Sequence, residues 1–284
     1  MAGGGILVQR HRLAAELHRR RLASGLSTYE LARRLGISQS KASRIENGRL
    51  AASVAEAETW ARETGATAEE IASIIDQAER ALTEAVAFRG TVRDRLPDQQ
   101  QGGAALERAA RVVQVFNPVI VPGLLQTPEY AHRVFLAQHP SDAPDLAVAV
   151  AARVDRQAIL YDPDKRFDFV IGEAALRWRI GPVAGHLAQL DRLRLVATMP
   201  NVEIAVVTFE QEVPVWHSHA FVLFDDPTDE GAALVHVEAM GAALNLSDPL
   251  AVERYRKAFT DLRTAAVSGT ELLDLLGRTM AELG

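Results

Sequence analysis

Three times in the first third of the chain a hydroxyl residue is followed three positions later by glutamate: Ser27 with Glu30, Ser53 with Glu56, and Thr67 with Glu70. In such a box the hydroxyl accepts from the N–H three residues on, the carboxylate reaches back to the first N–H, and a helix starts. Starts this close together leave room only for short helices and tight turns. Ahead of them, Leu13 and Leu17 stand at i, i+4, and Gly25 is placed to end their helix. Behind them a long helix is expected from Ala68 to about Arg95, on apolar positions Ile71, Ile74, Ile75, Ala78, Leu82 and Val86. The N-terminal region is thus predicted to be all-α, with five helices.

Residues 97–103, Pro-Asp-Gln-Gln-Gln-Gly-Gly, carry no apolar side chain and end in two glycines, which predicts a linker. The division is therefore 1–96 for the helical region with its long connecting helix, 97–104 for the linker, and 105–284 for a second domain. In that domain, β-prone runs at 111–116, 167–171, 202–208, 220–224, 233–238 and 242–246 alternate with helical stretches at 145–160 and 182–198. Thr127 and Pro128 form a cap and first turn, and the last 37 residues hold two more helices. The final strands follow one another closely, so an α+β domain with a partly antiparallel sheet is expected.

Charge is informative once divided along the chain. The net value of −6 hides ten Arg or Lys against three Glu in residues 1–50, a balance of +7, while residues 51–90 hold three cations against eight acids. A basic segment in an acidic protein suits a polyanion, because each neutralised phosphate releases counterions. The same charge on a solvated helix is the plainer alternative. The absence of cysteine excludes disulfides and thiolate chemistry. Apolar runs such as 146–152 and 202–207 fall far short of the roughly 20 residues a membrane helix needs. Residues 1–5 lack the charged and apolar regions of a signal peptide, so a cytoplasmic chain without membrane contact is expected.

Residues 26–49 read LSTYELARRLGISQSKASRIENGR. Leu31, Ala32 and Leu35 give a first helix its inner face, Gly36 supplies the turn, and Ser38 caps a second helix. At 100° per residue, Ala42 and Ile45 define the inner face of that second helix. Ser40, Ser43, Arg44 and Asn47 point outward, with Gln39 at the leading end. A polar outer face of this composition, in the most basic part of the chain, suits the major groove.

These residues resemble the xenobiotic-response-element (XRE) family of helix-turn-helix domains over about residues 7–65, most strongly in LARRLGIS and SRIENG. The resemblance implies a DNA-binding regulator in which Gln39, Ser40 and Arg44 reach base edges. Thr28, Ser43, Asn47 and Arg49 would approach phosphates, and Lys41 joins the DNA-binding set. It also implies an ion pair between Arg21 and Glu46 that is structural. Two departures stand out: the family usually has glutamine where Thr28 stands and a branched aliphatic where Ala42 stands.

The second domain carries FNPVIVPGLLQTPEY (116–130), ARVDRQAIL (152–160), GEAALRWRIG (172–181) and VHVEAMGAALNLSDP (235–249). Together these look like the C-terminal domain of an actinobacterial group of regulators called antitoxin-like or WhiJ-like. An arginine-to-lysine ratio of 28 to 3 agrees with a high-GC genome. That resemblance implies a regulator whose second domain receives a signal, often beside a small partner protein encoded nearby. Trp178 and Trp216 with Phe221 are candidates for core or for an apolar pocket, core being the commoner fate. His217 and His219, and His236 and Glu238, are i, i+2 pairs on strands and join the candidate pocket, but their spacing matches no metal motif. Glu173 and Glu238 are read as structural carboxylates.

No catalytic set, cofactor or metal is expected. Three readings remain: a regulator of repressor type, tuned by a partner protein; a regulator that senses a small molecule; and, least favoured, an enzyme with a regulatory helix-turn-helix. A homodimer on double-stranded DNA is expected, since one helix in one groove gives little specificity. Its interface falls either on the amphipathic terminal helices, with Val252, Tyr255, Phe259 and Leu262, then Leu272, Leu275, Leu276 and Met280, or on residues 68–95.

Overall fold

The computed structural model describes residues 8–87, 96–138, 146–213, 219–226, 233–239 and 242–283. The first five helices are α1 (Val8–Ser24), α2 (Thr28–Leu35), α3 (Gln39–Glu46), α4 (Val54–Glu63) and α5 (Ala68–Leu82). The three expected boxes form in full: Ser27 and Ser53 accept from the N–H of Glu30 and Glu56, and Thr67 does the same for Glu70 at 3.3 Å. Each glutamate answers by accepting the backbone N–H of its hydroxyl partner at 2.8–2.9 Å. The helices enclose a core of Leu13, Leu17, Leu31, Ala42, Ile45, Trp60, Ala61, Ile74 and Ala78. Trp60 is fully buried, and its indole N–H donates to the Leu17 carbonyl at 3.1 Å, so the largest side chain of this core leaves no polar group unpaired.

The long helix ends earlier than its periodicity suggests. After Leu82 the chain becomes strand β1 (Thr83–Ala87), which pairs antiparallel with β7 (Ala242–Leu246). Residues 97–104 are also not a linker. They lie within α6 (Leu96–Ala109), where Pro97 sits in the first turn, a place where a missing N–H costs nothing. This helix packs on α8 (Leu146–Arg156), and Gly103 allows the Arg156 guanidinium to come close.

The remaining elements are β2 (Val112–Asn117), α7 (Pro128–Gln138), β3 (Arg166–Gly172), α9 (Ala174–Arg177), α10 (Val183–Val196), β4 (Val202–Val207), β5 (Phe221–Asp225), β6 (Leu234–Ala239), α11 (Pro249–Ala265), β8 (Val267–Ser268) and α12 (Gly269–Leu283). The six expected strands form to within a residue or two, joined by β1 and the two-residue β8. The sheet order is β1-β7-β6-β5-β2-β3-β4-β8. Its middle, β2-β3-β4, is parallel, and both flanks are antiparallel.

One face of the sheet, with Val113, Phe167, Phe169, Ile204 and Phe224, packs against Tyr130 and Val134 of α7, Leu190 and Leu193 of α10, and Leu272, Leu275 and Leu276 of α12. The opposite face, with Phe116, Val170, Leu223 and Val235, receives Val252, Phe259 and Leu262 of α11. Arg256 to Asp225 at 2.8 Å and Arg263 to Glu203 at 2.5 Å fasten α11 at its middle and in its last turn. Both terminal helices therefore bury their apolar stripes against their own sheet, which decides one of the alternatives left open by their amphipathic pattern.

Candidate nucleic-acid interface

The turn between α2 and α3 is built on Gly36, whose φ of +68° is the left-handed conformation that closes α2, with its N–H turned back to the helix carbonyls. Ser38 caps α3 by accepting from the Lys41 N–H at 3.1 Å. Ala42 and Ile45 are buried, and they seat α3 on the helical core. Gln39, Ser40 and Asn47 are exposed, with Ser43 and Arg44 half-buried beside them. The outer surface of α3 is therefore polar along its whole length.

Arg21 and Glu46 meet as an ion pair between α1 and the end of α3, with side chains only 10% and 6% exposed. The Arg21 guanidinium also donates to the Leu26 carbonyl at 2.8 Å, so one side chain holds α1, the loop before α2 and the last turn of α3. Thr28 directs its hydroxyl to the same carboxylate at 3.4 Å. Asn47 is the C-cap of α3, and its amide donates to the Ser43 carbonyl at 2.8 Å. Lys41 pairs with Glu56 at 2.7 Å, which ties α3 to the first turn of α4. Burial opposes ionisation of Glu56, but Lys41 and the Ser53 N–H outweigh it and hold the carboxyl below its ordinary range.

Two features here lie beyond the sequence reading. Gly48, at φ +66°, lies under the ring of His11, and a Cβ at this position would stand 2.4 Å from His11 Nδ1. The ENG turn thus needs glycine for both its conformation and its neighbour. Tyr29, in the first turn of α2, is 64% exposed. No local pattern signals the His11 contact, because the two residues are brought together only when α1 packs on the turn. The basic field is also smaller than the charge balance suggests. Arg19, Arg20, Arg21, Arg34 and Lys41 all pair with the chain's own glutamates, whereas Arg12 and Arg49 are exposed and enter no ion pair among the described residues.

In the sheet domain the described candidate pocket residues do not gather in one site; only His236 and Glu238 meet. Trp178 caps α9 and is 60% exposed, whereas Phe221 is buried against Tyr255 and Phe259. Core is thus the wrong reading for Trp178, which stands exposed at the end of the four-residue α9. His219 meets the Tyr255 hydroxyl at 3.0 Å beside α11. His236 belongs to the other face, in register with Val222, and bonds to Asn245 at 2.7 Å and Glu238 at 3.3 Å. Burial lowers the His236 pKa, but these two partners overcome it and the net shift is upward. Trp216 and His217 lie outside the described residues.

What does converge is a set of long polar side chains around residues 118–127. Gln126 donates to the Val121 carbonyl at 2.7 Å and accepts from Arg153 at 2.7 Å, and Gln157 donates to the Gln126 carbonyl at 2.7 Å. Gln189 accepts the Thr127 N–H and donates to the Leu125 carbonyl, at 2.7 and 2.8 Å. The Arg153 guanidinium lies 4.0 Å from the centre of the Phe135 ring, and burial lowers its pKa to about 10. Arg156 reaches Glu107 of α6 at 3.2 Å, where burial pushes the carboxyl upward. Two of the stretches that resembled a regulator family, 116–130 and 152–160, are therefore halves of one buried network. Glu173 in a third stretch accepts from Arg177 at 2.5 Å and from the Phe209 N–H at 2.9 Å, a structural role.

The polar-faced α3 standing behind a glycine turn defines the class: residues 12–74 match a helix-turn-helix domain, so the N-terminal unit is of DNA-binding type. The larger part of the chain gives the family. Residues 100–278 match a domain of unknown function, DUF5753, and the chain belongs to that family. No curated protein matches it. Among the described residues no helix is long and apolar enough to cross a membrane.

Proposed function

We propose that this chain is a sequence-specific transcriptional regulator of the XRE type, carried by actinobacteria, acting as a homodimer on a palindromic operator. The observation that carries the reading is α3 itself: a capped helix with Ala42 and Ile45 buried and Gln39, Ser40 and Asn47 facing outward, in a unit that matches a helix-turn-helix domain. With α3 in the major groove, Arg44 grips guanine O6 and N7, and Gln39 suits adenine N6 and N7, with Ser40 between them. Ser43, Asn47 and Arg49 approach phosphates. Thr28 does so from its place beside Glu46, and Lys41 by leaving Glu56.

The sheet domain is the regulatory half, and a partner protein is the better candidate for its signal. Trp178 and Phe209 are 60% and 69% exposed; Trp178 ends α9, the helix after β3, and Phe209 lies beside Glu173 just past the end of β4. Exposed aromatics of this kind are typical anchors of protein interfaces. The reading of α3 is tested by Arg44→Ala on the operator and on operators altered one base pair at a time. Loss of about 1–3 kcal/mol and relaxed preference at one position are expected. Unchanged affinity and preference would refute the base-reading role.

A further inference from the structure

We propose that two copies of this chain join through the outer edge of β1, antiparallel and edge to edge, so that one sheet runs across a two-fold axis. The two ends of the sheet differ. At one end the two-residue β8 pairs with Ala205 and Val206 of β4, and the helices on either side of it in the chain, α11 and α12, both pack on β4 and cover that end. At the other end β1 has five residues, pairs on its inner side with β7, and on its outer side meets no strand among the described residues. Exposed edges are normally guarded by Lys, Pro or a bulge. Residues 83–87 read Thr-Glu-Ala-Val-Ala, with one charged residue, Glu84, and with neither lysine, the commonest guard, nor proline. A row of backbone donors and acceptors is complementary to its own antiparallel copy, which makes a second chain the occupant that fits without further matching.

Two further observations favour this edge. The apolar stripes of α11 and α12 are already buried on the sheet, so of the two expected interfaces the one within residues 68–95 remains. And β1 follows α5 without an intervening residue, so an axis through β1 fixes two helix-turn-helix units symmetrically. The inference takes the two-half-site reading above as its functional premise.

The register follows from the pleat. Opposite residues of an antiparallel pair share a face, so the axis must pass beside a residue and its own copy. Centring on Ala85 pairs all five residues of the strand with those of the copy.

The chain has no cysteine, so single cysteines report contacts cleanly. Ala85→Cys, Leu250→Cys and Leu273→Cys place a thiol on β1, α11 and α12, and each full-length variant is weighed by light scattering, then oxidised or treated with a short bis-maleimide. A two-chain mass with covalent dimer from Ala85→Cys, and none from the other two, is expected. A one-chain mass, or a dimer in which only Leu250→Cys or Leu273→Cys cross-links or none does, overturns the proposal. DNA binding of the same variants is scored in parallel: a cross-linked dimer that selects no DNA sequence fails the reading of α3 and leaves the interface standing.

Discussion

The helical unit and the sheet domain use charge in different ways. In the helical unit most ionised groups work at the rim. Glu16, Glu30 and Glu70 are held below the ordinary carboxylate range by neighbouring arginines, hydroxyls or backbone N–H groups within reach of solvent. In the sheet domain they work inside: burial raises Glu107 and lowers Arg153, and their partners, Arg156 and Gln126, come from other parts of the chain. Rim contacts can be lost singly at little cost, whereas an interior polar group that loses its partner is left desolvated. The Arg21–Glu46 pair is the exception in the helical unit, and it sits directly behind the candidate reading helix.

That exception gives the largest expected effect. Arg21→Ala leaves the Glu46 carboxylate buried without its cation and should destabilise the helical unit by about 3–5 kcal/mol in urea unfolding followed by circular dichroism. Arg19→Ala, which removes only an exposed pair with Glu16, should stay below about 1 kcal/mol. Equal losses would erase the distinction between rim and interior. Next, Gln126→Ala takes from buried Arg153 its acceptor and from Val121 its donor, and about 2–3 kcal/mol should disappear from the sheet domain.

A smaller loss, about 1–2 kcal/mol, is expected for Gly48→Ala, where the left-handed backbone is joined by a clash with His11. Gly36→Ala, with nothing within 4 Å of the added Cβ, should suffer the backbone part alone. The smallest effect is on pH. Glu70 has its folded pKa lowered to about 2 from 4.5, so its contribution is complete above pH 4.5 and is lost as pH falls toward 2. Glu107 has the opposite sign: its raised folded pKa adds stability below 4.5 that is lost as pH rises through the folded value. Melting followed separately in each unit should show Glu70→Gln flattening the acid limb of the helical unit, while Glu107→Gln changes only the sheet domain.

The same division explains what the sequence discloses. Helices α1–α5 are legible because their signals are local: a hydroxyl and a glutamate three apart, a glycine after the last apolar residue. β1 is not legible, since Val86 continues the helical apolar spacing of Ile75, Ala78 and Leu82, and the partner that makes it a strand, β7, lies about 160 residues further along the chain. Residues 97–103 look like a linker because the reasons they are helical, Arg156 against Gly103 and the packing on α8, come from another element. In the candidate interface the faces of α3 follow from Ala42 and Ile45, but the pairing of Lys41 with Glu56 and the placement of His11 on Gly48 require the folded bundle. In the sheet domain the glutamines at 126, 157 and 189 lie in stretches 116–130 and 152–160 or beyond them, and only the tertiary fold shows that they meet.

The most direct measurement is recovery of genomic DNA bound to the full-length chain, made in parallel with Arg44→Ala. The account predicts a palindrome whose half-sites are centred about 34 Å, or one helical turn, apart, with one position of each half-site relaxed in the variant. Recovery of no common sequence, or of the same sequence with the same preference from both proteins, would contradict it.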